Sequence, residues 1–210
     1  MKTVQTFQEL LGQQSLNRQR LYGNELSAAD FFREICGFNI GGYMTLILVM
    51  DNDCAIGRNG GLLCRLPEDM KNFRAVTLNS TVIMGRKTYE SFPKRPLPDR
   101  ENLVLSRNAM DLEGAKVFAD IESLMKYVKT VKNKVFVIGG GEIYKQLAPY
   151  CDEALITRLY ENMDGDVFFE DIEHDPEWEL AEASFVIETG CKNIRLLRFV
   201  RKNREKINKE

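Results

Sequence analysis

Three consecutive glycines, Gly139, Gly140 and Gly141, separate a predicted strand at residues 134–138 from a predicted helix. Glycines let the backbone approach a phosphate group closely, and the N-terminus of a helix favours anions. The spacing is not that of the GxGxxG dinucleotide fingerprint. Because a glycine triplet is also common in tight turns, two interpretations stay open here, phosphate binding and a simple turn.

Basic and hydroxyl side chains directly follow two other predicted strands, residues 81–84 and 102–105. Ligands of open α/β sheets bind at the carboxyl ends of strands, and such side chains can hold a phosphate by charge-assisted hydrogen bonds. A solvated surface would have the same composition, so this interpretation also stays open. The residues are Gly85, Arg86, Lys87 and Thr88 after the first strand, and Ser106 and Arg107 after the second.

Asp69 is the carboxylate whose surroundings in the sequence suggest a binding role. Pro67 suits the first position of a helix, where no N–H group is required, and it predicts the helix Pro67–Thr77. Asp69 then lies in the first turn, where a carboxylate is commonly only a partner of the helix dipole. Phe73, four residues on, shares its helix face, and Met70 lies beside it. A carboxylate flanked by an aromatic ring and a thioether also suits a flat heterocycle with N–H donors.

Alternating strands and helices must position these residues, and the alternation predicts an α/β fold. Apolar runs typical of strands buried on both faces alternate with helical patterns, whereas the last third has strands only, with a hairpin around Gly190. We expect a central, mostly parallel twisted sheet of about eight strands, with antiparallel C-terminal strands and flanking helices. The predicted strands are Met44–Met50, 81–84, 102–105, 116–118, 134–138, 154–160, 178–188 and 193–202, and the predicted helices are Pro67–Thr77, Arg86–Ser91, 121–130 and Gly141–Leu147.

The composition argues against several functional classes. The 210 residues suffice for one domain with a short appendage, and a net charge of −2 gives no sign of a nucleic-acid or membrane-surface partner. The five cysteines form no CxxC pair or metal-ligand spacing, which fits a reducing compartment. With no bilayer-spanning run and no secretory signal, we expect a cytoplasmic protein. The single histidine, His174, is expected in a solvated loop.

Residues 1–43 stand apart from the strand–helix pattern and are interpreted as an N-terminal extension. Short helices at residues 4–11 and 27–36 are compatible with the sequence there. A second interpretation is genetic, because residues 41–44 could be encoded as a ribosome-binding site followed by a start codon. Met44 would then be a real or alternative start, and the extension would be dispensable. The main domain is expected at 44–203, followed by a charged tail at 204–210.

Several segments together resemble the dihydrofolate reductase family, over roughly residues 45–202. Any one of them is a weak signal, but their joint order and spacing are highly specific. The matching segments are 56–57, 66–73, 82–91, 96–102, 137–144, 155–157 and 164–166.

The resemblance implies a pteridine site around Asp69. The Asp69 carboxylate would accept hydrogen bonds from N3–H and the 2-amino group of the ring, and Thr157 would fix its orientation. Arg100 would clamp the α-carboxylate of the glutamate tail, which suits a bidentate guanidinium. Ile47 and Ile138 would offer backbone carbonyls near the pteridine and the nicotinamide. The remaining pocket residues would be Val49, Met70, Phe73 and Leu97.

The resemblance also implies NADPH as the cofactor. Gly140 and Gly141 would let the pyrophosphate approach, and Tyr144 would pack near the nicotinamide. A basic cluster would surround the adenosine with its 2′-phosphate, which argues for NADPH over NADH. The implied cofactor-binding residues are Ile56, Gly57, Gly85, Arg86, Lys87, Thr88, Ser106, Arg107, Gly139, Gly140, Gly141, Glu142, Ile143 and Tyr144.

The implied activity is NADPH-dependent reduction of 7,8-dihydrofolate to 5,6,7,8-tetrahydrofolate, by hydride transfer to C6 and protonation at N5, in support of one-carbon metabolism. A monomer that also binds antifolate-type molecules is expected. One alternative is a pyrimidine reductase of riboflavin synthesis, which has the same fold and also uses NADPH. Another is a catalytically impaired NADPH- or folate-binding protein. Asp69 with Phe73, together with Arg100, favours folate.

The sequence departs from the family in one loop. Leu63 and Cys64 stand where the family usually has Pro-Trp, and that Trp reaches the pteridine edge through water and packs the loop over the nicotinamide. Cys64 is smaller and only a weak donor. The missing proline and the presence of Gly60 and Gly61 should loosen the loop. We expect altered loop closure, with Cys64 either facing the pteridine or buried as an inert thiol.

Overall fold

The computed structural model describes residues 43–108, 111–184, 186–189 and 192–202. The expectations for residues 1–42 and for the charged tail lie outside this part of the chain. Within it, no helix combines the length and the apolar character that crossing a membrane requires.

Twelve strands in the described ranges form a central nine-stranded sheet and a separate three-stranded sheet. The larger sheet runs in the order β10-β12-β8-β1-β7-β4-β5-β6, with β11 paired to β12, and the smaller sheet in the order β3-β2-β9. The strands are β1 (Met44–Met50), β2 (Ala55–Arg58), β3 (Gly61–Leu62), β4 (Thr81–Gly85), β5 (Glu101–Leu105), β6 (Ala115–Phe118), β7 (Val135–Gly139), β8 (Glu153–Leu159), β9 (Val167–Phe168), β10 (Trp178–Ala183), β11 (Ile187–Thr189) and β12 (Lys192–Arg201).

The direction of the strands confirms the predicted fold class. All neighbouring pairs among β1, β4, β5, β6, β7 and β8 are parallel. By contrast, β10, β11 and β12 pair antiparallel to their neighbours. A parallel sheet aligns the carboxyl ends of its strands along one edge, where ligands of open α/β sheets bind. This edge is therefore the place to look for a functional site.

The helices are α1 (Pro67–Thr77), α2 (Arg86–Ser91), α3 (Ile121–Val128) and α4 (Gly141–Leu147), the last continued by a 3₁₀ turn at Ala148–Tyr150. Pro67 occupies the start of α1, as its fixed φ favours. The Asp120 carboxylate caps α3 by accepting a hydrogen bond from the Ser123 N–H at 2.7 Å. Because α2 follows β4 directly and α4 follows β7 within two residues, both helices start at the carboxyl edge of the sheet.

The central sheet is buried on both faces, as its uninterrupted apolar runs predict. Alternate side chains of β1 point to opposite faces, so Leu46 and Leu48 join one core cluster while Ile47 packs against the other. The same alternation in β8 places Ile156 in the first cluster and Leu155 in the second. The sheet is thus a rigid platform for side chains at its carboxyl edge.

Two secondary-structure predictions need correction, and one sheet was missed. The helix expected at 121–130 ends at Val128, and the strand expected at 178–188 is two strands, β10 and β11. The smaller sheet was not predicted, because β2, β3 and β9 have only four, two and two residues, too few for a periodicity. The predicted C-terminal hairpin is present as the antiparallel pair β11–β12, and its turn residue Gly190 lies outside the described ranges.

Candidate active site

Asp69 and Thr157 meet at the carboxyl edge of the sheet. Asp69 lies in the first turn of α1, and Thr157, which is buried, lies on β8. The Thr157 hydroxyl donates to Asp69 Oδ1 at 2.5 Å. Burial raises the pKa of the Asp69 carboxyl group, and the hydrogen bond from Thr157 opposes that rise. The result is a partly desolvated carboxylate with one oxygen fixed and the other available to a ligand.

Apolar side chains surround the Asp69 end of α1. Leu97 and Ile138 are buried in one core cluster, against which Ile47 and Phe73 pack. A neighbouring cluster includes Val49. Met70 is 46% exposed, so it presents a large apolar side chain to solvent beside the carboxylate. A carboxylate next to exposed and partly exposed apolar surface is suited to a flat ring with polar edges.

Arg100 lies at the other end of α1. Its Nη1 donates to Thr77 Oγ1 at 2.9 Å, and its Nε donates to the Pro98 carbonyl, also at 2.9 Å. The buried Asn102 amide fixes this loop by donating to the carbonyls of Leu97 and Arg100, each at 2.9 Å. Asp69 and Arg100 therefore bracket α1, with a carboxylate at its start and a guanidinium at its end.

A cavity of about 540 Å³ opens beside α2 and α4 at the same edge of the sheet. Its volume is in the range of ligand sites. It brings together residues from the three segments that the sequence singled out. The predicted cofactor residues that line it are Gly85, Arg86, Lys87, Thr88, Ser106, Arg107, Gly140, Gly141, Glu142 and Ile143.

Glycines at the cavity edge have no room for a side chain. A Cβ atom at Gly141 would come within 2.6 Å of Val167 Cγ1, and one at Gly85 within 2.9 Å of Ile143 Cγ1. At Gly140 it would lie 3.3 Å from Thr88 Oγ1. These glycines therefore let α2, α4 and β9 pack closely together at the cavity edge.

Tyr144 connects the cavity side to the Asp69 side. Its buried hydroxyl donates to the Ile47 carbonyl at 2.7 Å, and burial, followed by the charge of Asp69, raises its pKa. Its ring fills the space beside Gly139, where a Cβ atom would lie 2.8 Å from Tyr144 Cε2. Gly139 has a φ of +107°, which a residue with a side chain rarely adopts. The two halves of the site are thus joined through one buried phenol.

Comparisons with known proteins agree with this geometry. The family model for dihydrofolate reductase matches residues 43–204. The chain belongs to the dihydrofolate reductase family. The dihydrofolate reductase of Haemophilus influenzae is 38% identical over 136 residues, which cover 65% of this chain and 83% of that protein. The one from Bacillus subtilis is 32% identical over 151 residues, covering 71% and 86%.

A solved structure extends the similarity to three dimensions. Dihydrofolate reductase from Enterococcus faecalis, complexed with NADP(H) and RAB-propyl, matches with a TM-score of 0.71 and 30% identity. The match covers 79% of this chain and all of that chain, 100%. The chain therefore has the fold of a dihydrofolate reductase.

Four residues that family resemblance assigned to the cofactor do not line the cavity. Gly139 and Tyr144 lie against each other beside Ile47, and Ile56 and Gly57 lie on β2. A Cβ atom at Gly141 would lie 3.9 Å from Ile56 Cδ1, so β2 lies over the start of α4. The smaller sheet, β2, β3 and β9, is named the lid sheet below.

The sequence missed six residues that line the cavity. Residues 119–121 directly follow β6, and applying the strand-end rule to that strand would have identified them. Gln146 lies one helical turn after Glu142 on α4, so it shares its face. The missed residues are Leu105, Asn108, Ala119, Asp120, Ile121 and Gln146.

The loop in which this chain departs from the family ends beside Asp69. Cys64 is partly buried and packs with Val49 and Met163 against a small cluster. Burial raises the pKa of its thiol, the charge of Lys192 lowers it, and the charge of Asp69 raises it. Cys64 is therefore a neutral thiol at neutral pH, within electrostatic range of the site carboxylate.

Proposed function

We propose that this chain reduces 7,8-dihydrofolate to 5,6,7,8-tetrahydrofolate with NADPH. The observation that carries the proposal is the Asp69–Thr157 pair, a partly buried carboxylate at the carboxyl edge of the sheet, which Tyr144 connects to the glycine-edged cavity. Membership of the dihydrofolate reductase family supports it.

Asp69 is the residue that recognises the pteridine. Its Oδ1 is held by Thr157, so the carboxylate is oriented before the substrate arrives. It accepts hydrogen bonds from N3–H and from the 2-amino group of the ring, which are charge-assisted and therefore strong. Ile47, Val49 and Met70 flank the ring. The benzoyl group and tail would lie along Phe73 and Leu97 towards Arg100, and Ile138 would offer its backbone carbonyl near the pteridine and the nicotinamide.

The cavity fits NADPH on two observations. Gly140 and Gly141 line it and carry no side chain that would separate a phosphate from the backbone. Side chains with positive charge or a hydroxyl group line the same cavity, which suits phosphates. The residues that would hold the cofactor are Gly85, Arg86, Lys87, Thr88, Ser106, Arg107, Gly139, Gly140, Gly141, Glu142, Ile143 and Tyr144, with Ile56 and Gly57 from the lid sheet.

NADPH, when bound, supplies the hydride that reduces C6 of the pteridine. The protein contributes position and electrostatics. Ionised Asp69 stabilises positive charge on the ring, which favours protonation of N5. Asp69 is hydrogen-bonded to the opposite edge of the ring, so the proton for N5 comes from water. The lid sheet lies over the start of α4.

A spectrophotometric assay that follows NADPH oxidation with dihydrofolate tests the proposal. The purified protein should consume NADPH only when dihydrofolate is present, and an antifolate should inhibit the reaction. Turnover of a ribosyl-phosphate pyrimidine instead would indicate the riboflavin-pathway reductase. Cofactor binding without turnover of either substrate would indicate a binding protein.

We also propose that residues 44–203 are the catalytic unit and that it acts as a monomer in the cytoplasm, without nucleic acid. The extension at 1–43 would then be dispensable, and Met44 a real or alternative start. Mass spectrometry of the native protein should detect a species that begins at Met44. A single species beginning at Met1 would contradict that start.

A further inference from the structure

Asp51 is a buried acidic residue outside the proposed substrate and cofactor sites. It directly follows β1 and is only 1% exposed. Its Oδ1 accepts hydrogen bonds from two backbone N–H groups, that of Asp53 at 3.0 Å and that of Ala55, the first residue of β2, at 2.9 Å. The side chain thus forms an Asx turn, and this turn fixes the point at which β2 begins.

The second carboxylate oxygen of Asp51 reaches a different loop. Oδ2 accepts a hydrogen bond from the backbone N–H of Met163 at 2.8 Å, across a separation of 112 residues. Met163 lies in the connection between β8 and β9, and Asn52, next to Asp51, donates its N–H to the Glu161 carbonyl in the same connection at 3.3 Å. Hydrogen bonds to a carboxylate are stronger than those between neutral groups. Asp51 therefore ties together the connections that follow β1 and β8, two adjacent strands of the central sheet.

Both connections lead into the lid sheet. Gly57 on β2 pairs with Val167 on β9. Val167 Cγ1 would lie 2.6 Å from a Cβ atom at Gly141, and Ile56 Cδ1 would lie 3.9 Å from it. Gly141 itself lines the cavity beside α4. The position of the lid sheet against the start of α4 therefore depends on how the two connections are held.

A second bond joins the same two segments farther along, from the Asn59 N–H to Asp166 Oδ2 at 2.8 Å. That bond is exposed, so water replaces either partner when it breaks. The bond between Asp51 and Met163 is partly buried, and breaking it leaves a donor with incomplete hydration, which costs more. Of the two, Asp51 is therefore the stronger constraint on the lid sheet.

We propose that Asp51 is a positioning residue for cofactor binding, which keeps the lid sheet against the start of α4 by holding the β1–β2 and β8–β9 connections together. The inference rests on the proposed function, because it takes the cavity beside α4 as the NADPH site. Asp51 does not line that cavity, so it acts through β2 and β9. Loss of its bond to Met163 loosens the β8–β9 connection and weakens the binding of NADPH more than that of a folate analogue.

Two variants of the full-length chain remove the bond between the loops in different ways. Asp51→Asn keeps one oxygen but replaces the other by an amide donor, and Asp51→Ser has a single oxygen, which can accept in the turn but cannot serve both loops. The matched control is Asp53→Asn, which removes the same charge from an exposed side chain and keeps the backbone N–H that donates to Asp51.

Three measurements are made on each protein. Mass spectrometry follows hydrogen exchange in residues 160–166 and in β1 and β8. Fluorescence titration gives Kd for NADPH and for a folate analogue, and steady-state kinetics gives kcat and the KM values for NADPH and dihydrofolate.

In both Asp51 variants residues 160–166 should exchange faster, whereas exchange in β1 and β8 should not change. Kd for NADPH should rise about fivefold and Kd for the folate analogue by less than about twofold, with a larger rise in KM for NADPH than in KM for dihydrofolate. Asp53→Asn should behave as the unmodified chain does.

Equal weakening of both ligands in the Asp51 variants would show a general structural role and overturn the inference. Unchanged affinity for NADPH would overturn it as well, whether or not residues 160–166 exchange faster. An unmodified chain that binds NADPH but does not reduce dihydrofolate would instead contradict the proposed function, since neither the exchange nor the Kd comparison requires turnover.

Discussion

The cofactor half and the substrate half of the site are built in different ways. The cavity beside α2 and α4 takes most of its lining from short continuous segments, each directly after a strand. The substrate half depends on single side chains from distant elements, such as Asp69 and Thr157, which are 88 residues apart in sequence. A backbone site is therefore encoded locally, whereas a side-chain site needs the assembled fold.

Replacing Asp69 tests the substrate half with the largest expected effect. Asp69→Asn keeps the shape but removes the negative charge that stabilises a protonated ring, so turnover of dihydrofolate should fall by about a hundredfold at neutral pH. Steady-state kinetics measures this, and Glu68→Gln, an acid in the same turn of α1, is the matched control. An Asn variant with unchanged turnover and pH–rate behaviour would remove Asp69 from the mechanism.

The same variant should be more stable than the unmodified chain. Burial raises the folded-state pKa of Asp69 above its unfolded value. The stabilisation associated with protonating Asp69 is full below the unfolded pKa and is lost as the pH rises through the folded pKa. Ionised Asp69 therefore opposes folding at neutral pH, and Asp69→Asn should raise Tm there but not at low pH.

Gly141 tests the cofactor half. In Gly141→Leu the new Cβ would lie 2.6 Å from Val167 Cγ1, so the lid sheet or α4, which begins at the cavity, must shift. Affinity for NADPH should fall about tenfold, with a smaller change in affinity for a folate analogue. Fluorescence titration measures both constants. Gly61→Ala is the control, because its Cβ would lie 3.6 Å from the Arg58 carbonyl oxygen.

Equal loss of both affinities in Gly141→Leu would break the comparison, because it would mean that the halves do not respond separately. Circular dichroism and Tm show whether the variant is folded. If the folded variant loses affinity for NADPH but not for a folate analogue, the distinction between a backbone site and a side-chain site is strengthened.

This distinction explains how much the sequence could predict. Strand ends with glycine or basic residues were identified from local pattern alone, and ten of the cofactor residues so identified or implied line the cavity. The bond between Thr157 and Asp69 has no local signature, and only the resemblance to a family implied it. The lid sheet was missed because its strands are too short to show a period.

Thr157→Val tests the fixed oxygen of Asp69 by pH dependence. The hydroxyl stabilises the ionised carboxylate, so its loss should raise the pKa of Asp69 further. If ionised Asp69 binds substrate, the acid limb of the kcat/KM profile should move to higher pH, with the loss largest at low pH. A profile that moves to lower pH, or only falls uniformly, would contradict this role.

Cys64→Trp has the smallest expected effect. It tests whether the loop that contains Leu63 and Cys64 belongs to the substrate half. Cys64 already contacts the cluster that includes Val49 and Met163. A larger apolar side chain there buries more surface beside the cleft and restricts the loop, so the affinity for folate or NADPH should rise about threefold. Leu62→Trp is the control, since Leu62 is 62% exposed on the lid sheet. If neither affinity changes, Cys64 does not face the pteridine, and the loop influences the site only through the contact of β2 with the start of α4.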